Sequence, residues 1–362
     1  MQPYLAARLI TQVTTWAMRT RNADLGSSEA KCRGMAIQLI IALVLSAFLH
    51  LGSAEAQQSL KVHRIGYLTI SPREAQAHLI QAFERGLAER GYVVGRDIFI
   101  EYRFANGKPE RLQGLADDLV RAKVDVIVTG INPNIRAAQR ATKTIPIVTA
   151  ISYFPVEEGL VQSLARPGGN TTGLTSDAAE EVGRRLQLLR EMAPRVSRVA
   201  ILTGVGETYQ ALLLSKLESS ARRLGVTILP AAEISGPQSI ERAFAEMERN
   251  KADGLIVLTG AAALTNRGSI IRLSAKTRLP TIWSDQLQVN DGALISYGVD
   301  VTDLFRRAAG YVDRILKGAK PTDLPFEQPT KYVLAINLKT AKTLGLTIPQ
   351  TLLLQADYLV EQ

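Results

Sequence analysis

The stretch Val62-His-Arg-Ile-Gly-Tyr-Leu68 is the first of a series of short apolar runs that decide the fold of this chain. It is followed by an amphipathic segment at 74–90 and by a second apolar run at 98–103. Nearly continuous β-branched and apolar runs are typical of strands buried on both faces, and their alternation with helices is typical of a parallel sheet. This part of the sequence therefore predicts an α/β fold with a doubly wound sheet.

The same alternation continues along the chain in two series. The first series adds strands at 124–129 and 145–151 and helices at 109–121 and 134–142. A dense turn signal, Arg166-Pro-Gly-Gly-Asn170, and an edge strand at 171–174 then precede a second series. In the second series we predict helices at 178–192, 208–224, 238–250 and 265–277, and strands at 199–203, 226–229, 254–259 and 281–284. Two series of this length indicate two α/β lobes.

A basic and then apolar segment precedes the first strand. Lys31 and Arg33 are followed by a mainly apolar run at 36–49 and by Ala54-Glu-Ala56, the small-x-small pattern that signal peptidases cut after. Because this run is shorter than the roughly 20 residues of a membrane span, we predict a signal peptide within a leader at 1–56, cleavage near Ala56 and a periplasmic or other extracytoplasmic location. Met35 is an alternative start, and an uncleaved signal anchor is the alternative to cleavage.

The composition disfavours an enzyme. The one cysteine, Cys32, lies in the predicted leader, and His63 and His78 are the only histidines after it; we interpret both as solvated surface residues. The chain has no G-x-S-x-G or P-loop motif, and Gly204-Val-Gly206 lacks a third glycine. We therefore expect no catalytic residues, cofactor or metal. The net charge of +9 is spread over helices beside acidic residues, so we expect no nucleic-acid partner.

The loops that follow the predicted strands are small, hydroxylated and rich in glycine. In open α/β sheets ligands bind beyond the carboxyl ends of the strands, where helix N-termini present free N–H groups. The same residue types are also favoured as helix N-caps, which is the alternative for each one. The predicted ligand-binding residues are Thr69, Ser71, Gly130, Asn132, Ser152, Tyr153, Gly204, Thr208, Thr259, Gly260, Ser284, Asp285 and Tyr297.

Asp285 and three aromatic residues have two interpretations each. Asp285 either binds a ligand ammonium group or caps a short helix. Trp283 either stacks on a flat ligand or fills the core, and Tyr153 and Tyr297 are further candidates for stacking. The sequence leaves these alternatives open.

Several motifs between residues 62 and 360 resemble those of the ABC-transporter substrate-binding family that includes tryptophan- and tyrosine-type binding proteins. They are Ile65-Gly-Tyr-Leu68, Gly86-Leu-x-Glu-x-Gly-Tyr92, Ile100-Glu-Tyr-Arg103, Arg166-Pro-Gly-Gly-Asn170, Ile295-Ser-Tyr-Gly298, Gly318-x-Lys-Pro-x-Asp-Leu-Pro325 and Ile336-Asn-Leu-Lys-Thr-Ala-Lys342. The sequence departs from the family pattern at Tyr153-Phe-Pro-Val156, where members often have Gly-Asp-Pro-Val, and at Thr203-Gly-Val-Gly-Glu207, where they often have an Asn-Pro-rich turn. The missing aspartate weakens the expectation of an amino-acid ligand.

The resemblance implies a type I periplasmic-binding fold, in which two Rossmann-like lobes are joined by three crossovers and close on a ligand by a hinge. It implies an N-terminal lobe at 62–174 plus 292–320, to which strand 293–297 and helix 301–316 return. The C-terminal lobe is then 175–291 plus 325–345, and 346–362 is a C-terminal tail. The implied function is that of an exported, monomeric solute-binding protein, which captures an amino acid or aromatic compound and presents it to an ABC permease. The alternative is an extracytoplasmic ligand-sensing module of a membrane signalling protein.

Overall fold

The fold consists of two mainly parallel sheets, each flanked by helices. A computed structural model describes residues 62–205, 209–258 and 260–361, so the predicted leader lies outside the described residues. In the described parts of the chain, no helix is long and apolar enough to cross a membrane.

The first sheet is formed by the N-terminal part of the chain. Its strand order is β2-β1-β3-β4-β5 and all its pairs are parallel. The strands are β1 (His63–Thr69), β2 (Ile98–Phe104), β3 (Val126–Thr129), β4 (Ile147–Thr149) and β5 (Thr171–Gly173). The helices between them are α1 (Arg73–Ala88), α2 (Leu112–Arg121), which follows a 3-10 turn at Pro109–Arg111, and α3 (Asn132–Ala141). Strands β3 and β4 are buried throughout, as their continuous apolar sequences predict.

The second sheet is larger and has one antiparallel pair. Its order is β13-β12-β11-β10-β9-β6-β7, and β8 also pairs with β6. The strands are β6 (Arg198–Gly204), β7 (Thr227–Ile228), β8 (Ala232–Ile234), β9 (Gly254–Val257), β10 (Thr281–Trp283), β11 (Ile295–Val299), β12 (Tyr332–Asn337) and β13 (Tyr358–Val360). Only the β11–β12 pair among these described strands is antiparallel.

Most of the remaining helices pack around this second sheet. All the remaining helices, including one that does not pack there, are α4 (Ala178–Met192), α5 (Gln210–Leu224), α6 (Pro237–Arg249), α7 (Ala261–Thr265), α8 (Arg267–Lys276), α9 (Gln286–Asn290), α10 (Val301–Leu316), α11 (Leu338–Leu344) and α12 (Gln350–Gln355). The predicted helix at 265–277 is thus two helices, α7 and α8, which meet at Asn266.

Helix α10 is the exception, because it packs on the first lobe. Its Arg306 carbonyl lies so close to Gly86 of α1 that an added Cβ would stand 2.2 Å from the oxygen. The Tyr92 hydroxyl donates to Asp313 at 2.9 Å, and Arg306 pairs with Glu89 at 3.0 Å. The glycine at position 86 therefore permits the close approach of the two helices.

Two segments are placed differently from the sequence prediction. The strand predicted at 293–297 to return to the first lobe is β11, which pairs with β10 and β12 in the second sheet, so that prediction is wrong. An apolar strand matches either sheet equally well, and only the helix that follows, α10, crosses back. The predicted tail at 346–362 forms α12 and the edge strand β13, because β12 offers it an unpaired parallel edge.

The chain crosses between the lobes three times. The crossovers lie between β5 and α4, between β11 and α10, and after α10, through the 3-10 turn Pro321–Asp323 to β12. They run side by side: the Thr175 N–H donates to the Glu327 carbonyl at 3.0 Å, and the Asp300 N–H donates to the Lys331 carbonyl at 3.2 Å. Lys331 also forms an ion pair with Asp300 at 2.7 Å.

A buried ion pair ties two of these crossovers to the second lobe. Glu181 and Arg185 lie one turn apart on α4, and their side chains are 3% and 6% exposed and 2.8 Å apart. The Ser176 hydroxyl, in the first crossover, donates to Glu181. Arg185 Nε donates to the Tyr297 carbonyl at 2.6 Å, just before the second crossover.

We predict that Arg185→Leu strongly destabilises the protein, because it leaves the Glu181 carboxylate buried without its cation. The free energy of unfolding should fall by about 3–5 kcal/mol, as measured by urea denaturation. Arg184→Leu is the matched control, because the Arg184–Glu191 pair is about one-third exposed and a surface pair contributes about 0–1 kcal/mol. Equal losses in the two variants would contradict a structural role for the buried pair.

Candidate functional site

An apolar cavity lies between the carboxyl ends of the two sheets. The empty space within it, counted out to the open mouth and including solvent there, is about 990 Å³. Its lining comes from β1 and the loops after β1, β3, β4, β9 and β10, with α1, α3, α7, α9 and α10. We call this cavity the interlobe cleft. Its apolar and aromatic lining includes Tyr67, Leu68, Leu79, Ile131, Ile151, Leu258, Leu264, Trp283, Leu287, Val301 and Phe305.

The loop after β1 brings polar groups to the first-lobe wall. The Ser71 N–H donates to Thr69 Oγ1 at 3.2 Å, and both side chains are nearly buried. The Tyr67 hydroxyl donates to Gln76 Oε1 at 3.0 Å. Burial raises the pKa of Tyr67 far above its usual range, so its hydroxyl is a neutral group in the cleft.

The loop after β3 is held in a strained conformation. Ile131 has a φ of +58°, a region that β-branched residues rarely adopt. Its N–H donates to the Ile151 carbonyl at 2.8 Å, which fixes this turn against the loop after β4. Asn134, in the first turn of α3, donates from Nδ2 to the Gly130 carbonyl at 2.6 Å. Such strain is typical of functional loops whose position is set by the surrounding structure.

The second-lobe wall carries an aspartate opposite a histidine. Asp285 caps α9 by accepting the Leu287 N–H at 2.8 Å, and it lines the cleft as well. Burial raises the pKa of Asp285, whereas the Leu287 N–H and His78 of α1 act to lower it and Asp300 acts to raise it. Burial lowers the pKa of His78, against the opposing effect of Asp285.

Trp283 is both a core residue and a cleft residue. It is 2% exposed, and its Nε1 donates to Thr281 Oγ1 at 3.3 Å. The two interpretations of Trp283 from the sequence, and the two of Asp285, are therefore compatible: each residue has a structural contact and also faces the cleft.

An aromatic pair joins the two lobes beside the cleft. Tyr153 follows β4 in the first lobe, and Tyr209 immediately precedes α5 in the second. Their ring centroids are 4.8 Å apart with an interplanar angle of 23°, a stacked arrangement. The structure therefore has the lobes in contact at this point.

The predicted ligand-binding residues divide into three sets. Seven line the cleft: Thr69, Ser71, Gly130, Tyr153, Gly260, Ser284 and Asp285. Thr208 and Thr259 lie outside the described residues. Asn132, Ser152, Gly204 and Tyr297 are described and do not line it.

Each of the four residues away from the cleft has a structural contact instead. The Asn132 side chain bonds both the N–H and the carbonyl of Tyr153, at 3.0 and 2.7 Å, and so holds that loop. The Ser152 hydroxyl donates to the Leu174 carbonyl at 3.1 Å and is fully buried. The Gly204 carbonyl accepts from Gln210 at 2.6 Å. Tyr297 stacks on Tyr332 of β12, because β11 belongs to the second sheet.

Four polar residues of the cleft were not predicted from the sequence: Gln76, His78, Asn134 and Gln288. His78 was interpreted as a surface residue, but it lies on the side of α1 that borders the second lobe. Asn134 had a usable signal, since it belongs to the same Asn-Pro-Asn turn as Asn132. Within residues 62–205, 209–258 and 260–361, no group of three or more His, Cys, Asp or Glu side chains is arranged to hold a metal ion.

Comparisons with known proteins agree with this architecture. The chain is 27% identical to the tyrosine-binding protein of Clostridioides difficile (strain R20291) over 266 residues, which cover 74% of this chain and 76% of the relative. Among solved structures, a conserved domain protein from Vibrio cholerae superposes with a TM-score of 0.77 at 28% identity, covering 83% of this chain and all of that one. A Streptococcus pneumonia ABC domain in complex with L-Trp gives a TM-score of 0.76 at 25% identity, covering 82% and 99%.

The structural neighbours are two-lobed proteins of the type I periplasmic-binding fold, which agrees with the architecture expected from the sequence. The family is one of solute-binding proteins and not of enzymes. Residues 65–360 match the family model described as ABC transporter substrate binding protein, and the chain belongs to that family.

Proposed function

We propose that this chain is the extracytoplasmic solute-binding component of an ABC importer. In this function it captures one small organic molecule in the interlobe cleft and presents the closed form to a membrane permease. The observation that carries the proposal is the cleft itself, which is lined from both lobes by apolar and aromatic side chains with a few polar groups among them. Such a lining is typical of ligand sites that close around a small molecule.

The family relatives support an aromatic or amino-acid ligand. One relative is named for tyrosine, and a structural neighbour is in complex with L-Trp. In this chain Trp283, Phe305 and Tyr67 all line the cleft, and the Tyr67 and Phe305 ring centroids are 6.2 Å apart. A flat, largely apolar ligand fits such a lining better than a sugar does, because a sugar needs many polar partners.

Closure of the lobes supports a transport function. A ligand shifts the open–closed equilibrium only as far as it binds the closed state more tightly. The Tyr153–Tyr209 stack is formed only when the lobes meet, so it adds to the free energy of closure together with the ligand. The predicted leader at 1–56 would place this cleft outside the cytoplasmic membrane, where a permease is met.

We predict that an aromatic or amino-acid solute raises the melting temperature of residues 57–362. A ligand bound only by the folded state contributes about 2.7 kcal/mol at a hundredfold excess over Kd. The measurement is thermal unfolding against aromatic amino acids, aromatic amines and acids, nucleosides, sugars and polyamines, with recovery of the unchanged solute as the control for turnover. Flat curves for the whole panel, with a cooperative transition, would contradict a nutrient-binding function.

We predict that Tyr209→Leu weakens ligand binding by about three- to tenfold, because a stacked aromatic pair contributes about 0.5–1.5 kcal/mol. Tyr209→Phe, which keeps the ring, should lose less affinity than Tyr209→Leu. Tyr332→Leu is the matched control, since it removes a similar stack with Tyr297 that lies away from the cleft. Calorimetric titration with the solute found by thermal unfolding measures these affinities. Equal losses for Tyr209→Leu and Tyr332→Leu would contradict a closure contact.

Uptake distinguishes an importer component from a sensor module, because both share the cleft. The importer function predicts that cells lacking this chain lose high-affinity uptake of the labelled solute and regain it with the wild-type chain. Normal uptake in those cells, together with binding in vitro, would favour the sensor.

A further inference from the structure

We propose that the interlobe cleft recognises its ligand through a cationic amino group, held by Asp285 between two amide oxygens, Asn134 Oδ1 and Gln288 Oε1. The rest of the ligand is an apolar or aromatic body in contact with the ring-lined part of the cleft. This inference rests on the proposed solute-binding function and names the chemical class of the ligand and the residues that select it.

Two buried oxygen atoms in the cleft have no hydrogen-bond donor. Asn134 is 2% exposed and Gln288 is 5% exposed, and both residues line the cleft. Asn134 Oδ1 and Gln288 Oε1 have no hydrogen-bond partner among the described residues. An unpaired buried polar atom is costly. Among the described residues that have such an atom, Asn134 and Gln288 line the cleft, whereas the others do not: His63, Gln113, Thr203, Ser296 and Arg307. Both atoms are acceptors, and a ligand that satisfies them must therefore donate hydrogen bonds.

The orientation of Asn134 is fixed by its own contact. Its Nδ2 donates to the Gly130 carbonyl at 2.6 Å, and a carbonyl can only accept. The amide therefore presents its oxygen as the remaining group. Asn134 belongs to the first lobe and Gln288 to the second, so a donor that satisfies both would also bridge the two lobes.

The charges of the cleft favour a cation. Asp285 forms no ion pair with a described lysine or arginine, and no lysine or arginine is among the described residues that line the cleft. The charged and titratable groups that face Asp285 are His78 from α1 and Asp300 from the second crossover, and Asp300 is paired with Lys331. Asp285 is only partly buried, but a carboxylate withdrawn from water without a cation is still unfavourable, and a ligand ammonium group would offset that cost.

The apolar lining of the cleft determines the chemistry of the part of the ligand beyond its amino group. Trp283, Phe305 and Leu264 line the same cleft, and a ligand negative charge would meet no side-chain cation there among the described residues. An anionic group therefore adds little to binding, whereas an aromatic ring buries apolar surface. The expected class is an aromatic amine, with or without an α-carboxylate.

A series of three ligands with one ring tests the proposal. Tyramine has the amino group alone, tyrosine has both charged groups, and the deaminated acid of tyrosine has the carboxylate alone. Calorimetric titration of residues 57–362 should show binding of tyramine or tyrosine, and about a hundredfold weaker binding of the deaminated acid. Tight binding of the deaminated acid would overturn the proposal.

The variant Asp285→Asn isolates the charge. Asparagine keeps the cap on the Leu287 N–H, so α9 should remain intact. We expect the affinity for the amine to fall about ten- to a hundredfold. Asp291→Asn at the other end of α9 is the matched control, because Asp291 is exposed and pairs with Arg267, away from the cleft. An unchanged affinity in Asp285→Asn would overturn the assignment.

The stability of free Asp285→Asn gives an independent readout. The raised pKa of Asp285 means that the folded state holds the proton more tightly than the unfolded state does. The ionised carboxylate therefore lowers stability above the ordinary pKa of aspartate, and this penalty disappears as the pH falls below it. Free Asp285→Asn should unfold at the same or a higher temperature than the wild type at neutral pH, which a purely structural residue would not allow.

The variant Gln288→Met tests the orphan oxygen with little change in shape. Removal of an unpaired buried acceptor should leave the melting temperature of the free protein unchanged or raised, while the affinity for the amine falls about threefold or more. A loss of stability with unchanged affinity would overturn the role of Gln288. If a sugar or another uncharged solute binds and no amine does, the amine proposal is wrong but the solute-binding function stands. If no solute binds, both are wrong.

Discussion

The buried ion pair between Glu181 and Arg185 is the contact on which the geometry of the cleft depends. It joins the end of the first crossover, through Ser176, to the Tyr297 carbonyl just before the second. A charged pair this deeply buried is stabilising only when both partners and their hydrogen bonds are present. Both crossovers therefore leave the second lobe at fixed points, and the third is hydrogen-bonded alongside them at Glu327 and Lys331.

Because the crossovers are fixed, the closure that we propose would move the sides of the two lobes that lie away from them. On that side the carboxyl ends of the sheets face each other, and the loops there bring hydroxyl, amide and aromatic groups to one cleft. The strain at Ile131 and the unpaired oxygens of Asn134 and Gln288 are both unfavourable in the free protein. A ligand that supplies donors would compensate part of that cost on closure. Stability and ligand recognition are thus opposed at these residues.

The alternation of strands and helices, the two lobes and seven of the cleft residues follow from the sequence, because buried parallel strands and their loops have a clear local pattern. The predictions from sequence are wrong where the sheet that a strand joins, or the contact that a side chain makes, depends on tertiary packing. Strand β11 has the same apolar character in either sheet, and its place is set by pairing with β10 and β12. Asn132 and Asn134 are alike in sequence, yet one holds the Tyr153 loop and the other presents a free oxygen. His78 has the sequence context of a surface histidine, and only the second lobe packed opposite it makes it a cleft residue.

The central claim is that the cleft closes around a small solute, and Trp283 provides the most direct test. It lines the cleft, and it is the only tryptophan after the predicted leader. Its fluorescence, followed in residues 57–362 during titration with tyramine or tyrosine, should change in a saturable way with one site per chain. The radius of gyration from X-ray scattering of the same samples should decrease as solute is added, because the lobes close around it. An unchanged emission at saturating concentrations of the whole solute panel would contradict the account.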